Sequence, residues 1–459
     1  MVGGGKRACG RLCLVFVVSV LTACGPDGGH EDPNTECREG PRTGRQHSPG
    51  GETQWVRTVR SEGGSDVPVA VTHDRQDNVI TVSNHLTPID FGHGPLGTPS
   101  GAYVLVVSKY SPRGELLWVR LLEAPARTGV RPYVRAQALT ADRHGNLFLT
   151  GQQSGGLDLG GGPLPAGAFL ARLDPEGHPR QARALPISAT ELAVNTWGDI
   201  TLSGVLSGQV DFGQGPVTGN GNAYLVQYGP EGGLRWVYVD SARGVPMDLA
   251  QDEAGDLYLA GGQFLPPSPF PTPFLTRITS EGRHQWTRRL QGASGLAMSV
   301  AARGGQVVVS GHFTGSFAFR QQTFSAPATR GLVLAYEREG KERWGYLLGS
   351  TWGLVAVDQG QGVVVAGRYT GCEDFGLGLG GLEGYPGATN LYVLRLQRPT
   401  GKLQWFHGYP STGTLPQDLS VTRQGEATLV GTFRDPVDLG TGPLAPGPGS
   451  NTFVLQLER

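Results

Sequence analysis

The chain has 459 residues, of which 17% are charged and 8% aromatic, and its formal net charge is −1. That balance excludes a nucleic-acid surface, which needs a clustered excess of lysine and arginine, and a polybasic membrane patch. Glycine (73 residues) and proline (33) are abundant; the glycines recur between short apolar runs, so they mark turns between strands rather than an unstructured chain.

In chain order, Met1 to Arg11 is basic and free of acids, and Leu12 to Leu21 is an apolar run of ten residues. A helix needs about 20 apolar residues to cross a bilayer, so this run suits the core of an export signal instead. It leads into Leu21-Thr22-Ala23-Cys24, which resembles the bacterial lipobox. The resemblance implies cleavage before Cys24 and acylation of that residue, and several acyl chains make a stable anchor. The alternative is an ordinary signal peptide cut after Ala23. By the same resemblance, Gly25 in place of an aspartate points to the outer membrane, facing the periplasm or the cell surface. Residues 1–23 thus read as a signal peptide and 24–53 as a lipidated cysteine with a flexible, Gly-, Pro- and charge-rich tether.

Cys9 and Cys13 leave with the signal. Cys37 and Cys372 remain, and an oxidising compartment permits a disulfide between them, although the sequence does not supply its geometry.

Residues 54–459 repeat. A Gly-x-x-x-Trp pattern recurs at Gly51/Trp55, Gly114/Trp118, Gly232/Trp236, Gly282/Trp286, Gly340/Trp344 and Gly401/Trp405; Gly177/Gln181 fills one slot without the Trp. Between these marks comes a short strand, then a turn such as Asp142 to Asn146, then an alternating strand ending in glycine (Leu147–Gly151, Leu257–Gly261), a loop often reading Asp-(Phe/Leu)-Gly, and a further strand such as Ala168–Leu173. Asp and Asn bond their own backbone in such turns, and Gly accepts positive φ. Four antiparallel strands in seven copies predict an all-β fold, a seven-bladed β-propeller of four-stranded antiparallel blades. The pattern starts at the Trp strand and stops just before it, so the segment around Trp55 is expected to complete the last blade beside Thr452–Leu457. On the innermost strands, large residues (Val71, Leu139, Leu192, Leu249, Ser299, Val355, Leu419) alternate with small ones (Thr72, Thr140, Ala193, Ala250, Val300, Ala356, Ser420), which lets neighbouring sheets interdigitate.

The repeat, best seen from Asp142 to Gly177, resembles the seven-bladed propeller repeat of bacterial secreted and surface proteins. Thr400 to Trp405 also resembles the Trp-docking motif of quinoprotein-type propellers, a family that holds both quinone-dependent dehydrogenases and non-enzymatic outer-membrane assembly scaffolds. The dehydrogenases carry adjacent cysteines, and this chain has none.

Chemistry is sparse. No H-x-H, H-E-x-x-H or CxxC set occurs, so neither a metal nor another cofactor is expected. Asp90, Asp158, Asp211, Asp374 and Asp438 of the Asp-(Phe/Leu)-Gly elements read as turn caps. Counting seven residues back from the turn glycine gives Ala70, Ala138, Glu191, Asp248, Met298, Leu354 and Asp418, at the start of the innermost strands. Glu191, Asp248 and Asp418 are therefore candidate binding residues at the mouth of a central channel, where like charges raise carboxylate pKa values. The irregular loop Leu265–Pro273, with Phe264 and Phe270, and the segment Leu122–Tyr133 are candidate contact loops. The expectation is a monomeric, non-enzymatic, membrane-anchored module with a protein or glycan partner and no nucleic acid. The alternative is a hydrolase or lyase acting on extracellular polymers through the three channel acids.

Overall fold

A computed structural model describes residues 50–459 except 62–65, 87, 93, 98–102, 126–130, 349–351, 361, 371–372, 375–380, 383–388 and 448–450. The described residues form strands joined by turns, with no helix. One sheet runs Val67–His73, Val79–Leu86, Tyr103–Tyr110, Leu116–Leu122. The second runs Val134–Ala141, Leu147–Gln153, Gly167–Leu173, Pro179–Ala184. Two others follow the same up-and-down order, starting at Ala293–Arg303 and at Gly353–Val357. A seven-stranded sheet extends from Glu191–Val194 to His284–Arg289. Its long strand Leu234–Gln251 pairs through its first half with Pro216–Tyr228 and through its second half with Leu257–Phe264. In the remaining large sheet, Leu415–Val421, Ala427–Phe433 and Asn451–Leu457 are joined by Thr53–Ser61, with Val56 opposite Leu455.

Each innermost strand packs between those of the preceding and following repeats, and Leu415–Val421 packs against both Gly353–Val357 and Val67–His73. The apolar core lies between sheets: Val364, Val393 and Trp405 of one meet Leu429, Phe453 and Leu455 of the next. Tryptophan and glycine register these contacts. A Cβ on Gly114 would lie 2.6 Å from the Trp55 indole, one on Gly177 2.8 Å from Trp118, one on Gly282 2.6 Å from Trp236, one on Gly401 2.7 Å from Trp344 and one on Gly51 2.6 Å from Trp405. In each pair the tryptophan of one repeat docks on the glycine of another, Trp236 and Gly282 doing so within the seven-stranded sheet. The Trp236 and Trp286 indoles also donate to the carbonyls of Ser280 and Arg338, each at 3.0 Å. Where Gln181 replaces the tryptophan, Arg183 stacks over Tyr228 at 3.8 Å and donates to the Gly232 carbonyl at 3.0 Å.

The glycine closing the second strand has a steric cause. The innermost strands carry β-bulges, as between Ala136 and Ala138 and between Pro246 and Asp248. These bring a carbonyl toward the second strand, so a Cβ on Gly151 would lie 2.2 Å from the Arg135 oxygen and one on Gly261 2.1 Å from the Val245 oxygen. A bulge puts one extra residue on its strand, and here it corrects the predicted alignment. Between Ala297 and Ser299 the bulge residue is Met298, so Ser299, not Met298, is equivalent to Asp248. The loop is also one residue shorter there, because Ala293–Arg303 turns directly into Gln306–Phe319. The large series therefore contains Val300 in place of Ser299, and the small series Ala301 in place of Val300.

Candidate functional site

The turn acids behave as caps. The Oδ1 atoms of Asp90, Asp158, Asp211 and Asp438 each accept from two glycine amides, for example Gly213 N at 2.7 Å and Gly215 N at 3.0 Å for Asp211. The turns between the first two strands use the same device: Asp142 Oδ1 accepts from the amides of His144 (2.7 Å) and Asn146 (2.9 Å). Among the described residues no group of three or more His, Cys, Asp or Glu is placed to hold a metal.

The innermost strands place Glu191, Asp248 and Asp418 at equivalent positions, opposite the residue before the closing glycine of the second strand, with a bulge just before Asp248 and Asp418. Asp248 Oδ1 accepts from its neighbour Leu249 N at 2.7 Å, and Oδ2 reaches the next innermost strand, accepting from Val300 N at 2.7 Å. Asp418 repeats this with Leu419 N at 2.8 Å and Val71 N at 2.7 Å. Ser299 does the same more weakly, accepting from Val355 N at 3.2 Å. Two of the three acids therefore tie adjacent sheets together, in different gaps. Glu191, one methylene longer, takes no such bond from the described residues. Burial, and then the charges of Asp248 and Asp418, hold its carboxyl well above the usual range. Burial pushes Asp418 up to about 7 against the pull of its two amide donors, with Asp248 adding repulsion, and burial raises Asp248 as well. The arrangement raises the proton affinity of all three acids, and two of the three carboxylates are engaged by backbone amides.

Sequence reasoning missed a larger feature. A cleft of about 1280 Å³ opens beside the outermost strand Glu342–Leu347. Arg288, Arg320, Arg330 and Lys341 line it against one acid, Glu342, with Phe324 and Tyr346 between them. Strands Gln306–Phe319 and Gln322–Glu337 make the cleft, because they run past the ordinary repeat into a long hairpin. At its tip Arg320 is held at φ 55°, one of two non-glycine residues with positive φ among those described, a conformation that costs energy away from glycine. The Arg320 amide is bonded to Glu342, and its guanidinium donates to the Arg343 carbonyl at 2.5 Å. The signal available in the sequence was the stretch between Val307–Gly311 and Leu332–Tyr336, where Phe313, Phe317, Phe319 and Phe324 are set among polar and small residues, a pattern that reads equally well as a loop.

Phe264 and Phe270 of the irregular loop are exposed, Phe270 at 63%. Cys24, Cys37 and Cys372 lie outside the described residues, as does part of the segment Leu122–Tyr133.

No family model matches the sequence, and no curated protein does. Solved structures do. The chain is similar to the hydrazine synthase of Kuenenia stuttgartiensis at 11% identity, covering 79% of this chain and 92% of that one, with a TM-score of 0.45. It is similar to the Myceliophthora thermophila Cps50 (Swd1) β-propeller domain at 12% identity, covering 90% and 100%, with a TM-score of 0.46. BamB from Moraxella catarrhalis matches at 12% identity, covering 87% and 100%, with a TM-score of 0.39.

Proposed function

We propose that the chain is a lipid-anchored binding module of the bacterial outer membrane: a closed seven-bladed β-propeller, tethered through acylated Cys24, that docks an acidic extended segment of a partner protein and carries out no chemistry. Support for the blade count comes from the long strand Leu234–Gln251, which serves two four-stranded units. Support for closure comes from the tryptophan docking, which leads back from Trp405 to Gly51, on the segment entering the strand of Trp55.

The observation that carries the binding reading is the cation-lined cleft. Four cations face one acid there, and one wall is the outermost strand of its sheet, whose free edge can pair with an extended chain. Charge complementarity of this kind sets partner choice and encounter rate. The rival acid–base reading needs two channel carboxylates about 5–10 Å apart in a pocket, whereas Asp248 and Asp418 turn into separate gaps and are engaged by backbone amides.

The test is crosslinking in intact cells followed by purification of the anchored protein. A discrete partner should be captured by the native chain and lost from the Arg330→Glu/Lys341→Glu variant with its melting temperature unchanged. Equal capture by both would overturn the cleft assignment. Separately, Cys24→Ser should abolish acylation by mass and release the protein from membranes; unchanged partitioning would overturn the anchor.

A further inference from the structure

The third strand of every repeat but one, where Ala335 takes the place, carries a cation or amide at one recurring position. Lys109 pairs with Asp74 at 2.8 Å, Arg277 with Asp256 at 2.5 Å, and Arg395 with Asp358. Gln227 donates to Thr201 at 3.0 Å, and Gln456 bonds Thr428. Arg172 is the exception. It forms no ion pair or hydrogen bond with a described residue, its Nε is buried without a partner, and its only polar-type contact is the Phe148 ring at 5.6 Å. The acid of its own turn, Asp142, is occupied by two amides and by Asn146 Nδ2 at 2.7 Å.

Arg172 lines a cleft of about 170 Å³ between the turns of two neighbouring sheets, together with Asp142, Arg143, Phe148, Trp197 and Pro230. Trp197 is 63% exposed, and its ring edge lies against Gly255, where a Cβ would be 3.2 Å away. A large, mostly exposed aromatic thus stands in the same cleft as a guanidinium with unused donors. A buried Nε–H without an acceptor is costly, and the half-buried guanidinium fork that carries it matches a carboxylate. The cleft is smaller than those that take drug-sized ligands, so it has room for one ring.

We propose that this cleft binds a single sugar acid, the uronate unit of an acidic glycan, with the carboxylate on Arg172 and the ring face on Trp197. Arg143 adds long-range attraction, offset by Asp142. The site is separate from the cation-lined cleft and does not depend on it.

Titration of the full mature protein with glucuronate, glucose and inorganic phosphate, followed by calorimetry and ligand-observed NMR, tests this. Glucuronate should bind at least about tenfold more tightly than glucose or phosphate. Arg172→Gln and Trp197→Ala should each weaken glucuronate by about tenfold or more, with circular dichroism and melting temperature unchanged. Arg143→Gln should have a smaller, salt-sensitive effect. No glucuronate binding, equal binding of glucose, equal binding of phosphate, or full affinity in Arg172→Gln would each overturn the proposal. Should Trp197→Ala unfold the chain, Trp197→Phe should retain binding that Trp197→Leu loses.

Discussion

Gly114 and Trp55 belong to different sheets, yet a methyl group on Gly114 would fall 2.6 Å from Cδ2 of the Trp55 indole, whose N–H donates to the Pro112 carbonyl at 3.0 Å. Gly114→Ala meets this clash and an unfavourable φ of +78° together. It should cost more than about 2 kcal/mol in urea unfolding. Gly162→Ala shares the positive φ, at +93°, but has nothing within 4 Å, and should cost only about 1 kcal/mol. Equal losses would show that backbone conformation alone, not docking, fixes these glycines.

Trp344 tests the same contact from the other side. It is buried, its indole donates to the Arg398 carbonyl at 2.8 Å, and Gly401 lies on its face. Trp344→Ala should lose about 3–5 kcal/mol. Trp344→Phe should recover most of the packing but not the hydrogen bond, leaving a deficit of about 1 kcal/mol.

The Asp358–Arg395 pair is enclosed, with side chains 0% and 3% exposed, and Arg395 also donates to the Gly425 carbonyl at 2.9 Å. Arg395→Met strands a buried carboxylate and should cost about 3–5 kcal/mol. Adding Asp358→Leu removes that charge, so the double variant should be more stable than Arg395→Met alone. If the second substitution lowers stability further, the acid has a structural role apart from its partner.

The axial acids predict a pH dependence. Burial pushes Asp418 up to about 7 in the folded chain from the ordinary 3.8. Between those limits the folded state holds a proton that the unfolded chain has released, so this group makes stability fall as pH rises from about 4 to 7. Asp418→Asn should flatten that slope whatever constant offset it adds. His73 acts in the opposite sense. Burial lowers it from 6.5 to about 4, so its contribution is lost as pH falls through that window. Comparing unfolding of the variant and native chain across the range separates the two. Glu191→Gln should be near neutral in acid, where the native side chain is already protonated, and increasingly stabilising in alkali. A pH-independent difference would mean Glu191 is solvated.

The repeat was legible because its turns and glycines are chemically obligatory. Asp142, Gly145, Gly151 and Gly177 each occupy places where few residues fit, and they recur for that reason. The slip at Met298 came from counting back from a turn glycine across a hairpin with a shorter turn, while a bulge residue leaves no mark of its own in composition. The two aspartates of the innermost strands were visible as a column, but their bonds to Val300 and Val71 were not, because those bonds cross between repeats. Arg183 standing in for a missing tryptophan, and Arg172 lacking a partner, become apparent only when neighbouring sheets are placed side by side.

The pairing of Thr53–Ser61 with Asn451–Leu457 has a consequence for biosynthesis. Thr53–Ser61 is made well before its partner Asn451–Leu457, so a partly synthesised chain carries an unpaired, pairing-competent strand until those residues follow. Such a chain is vulnerable to aggregation during synthesis, and chaperone protection of that strand should matter most just before residues 451–457 arrive.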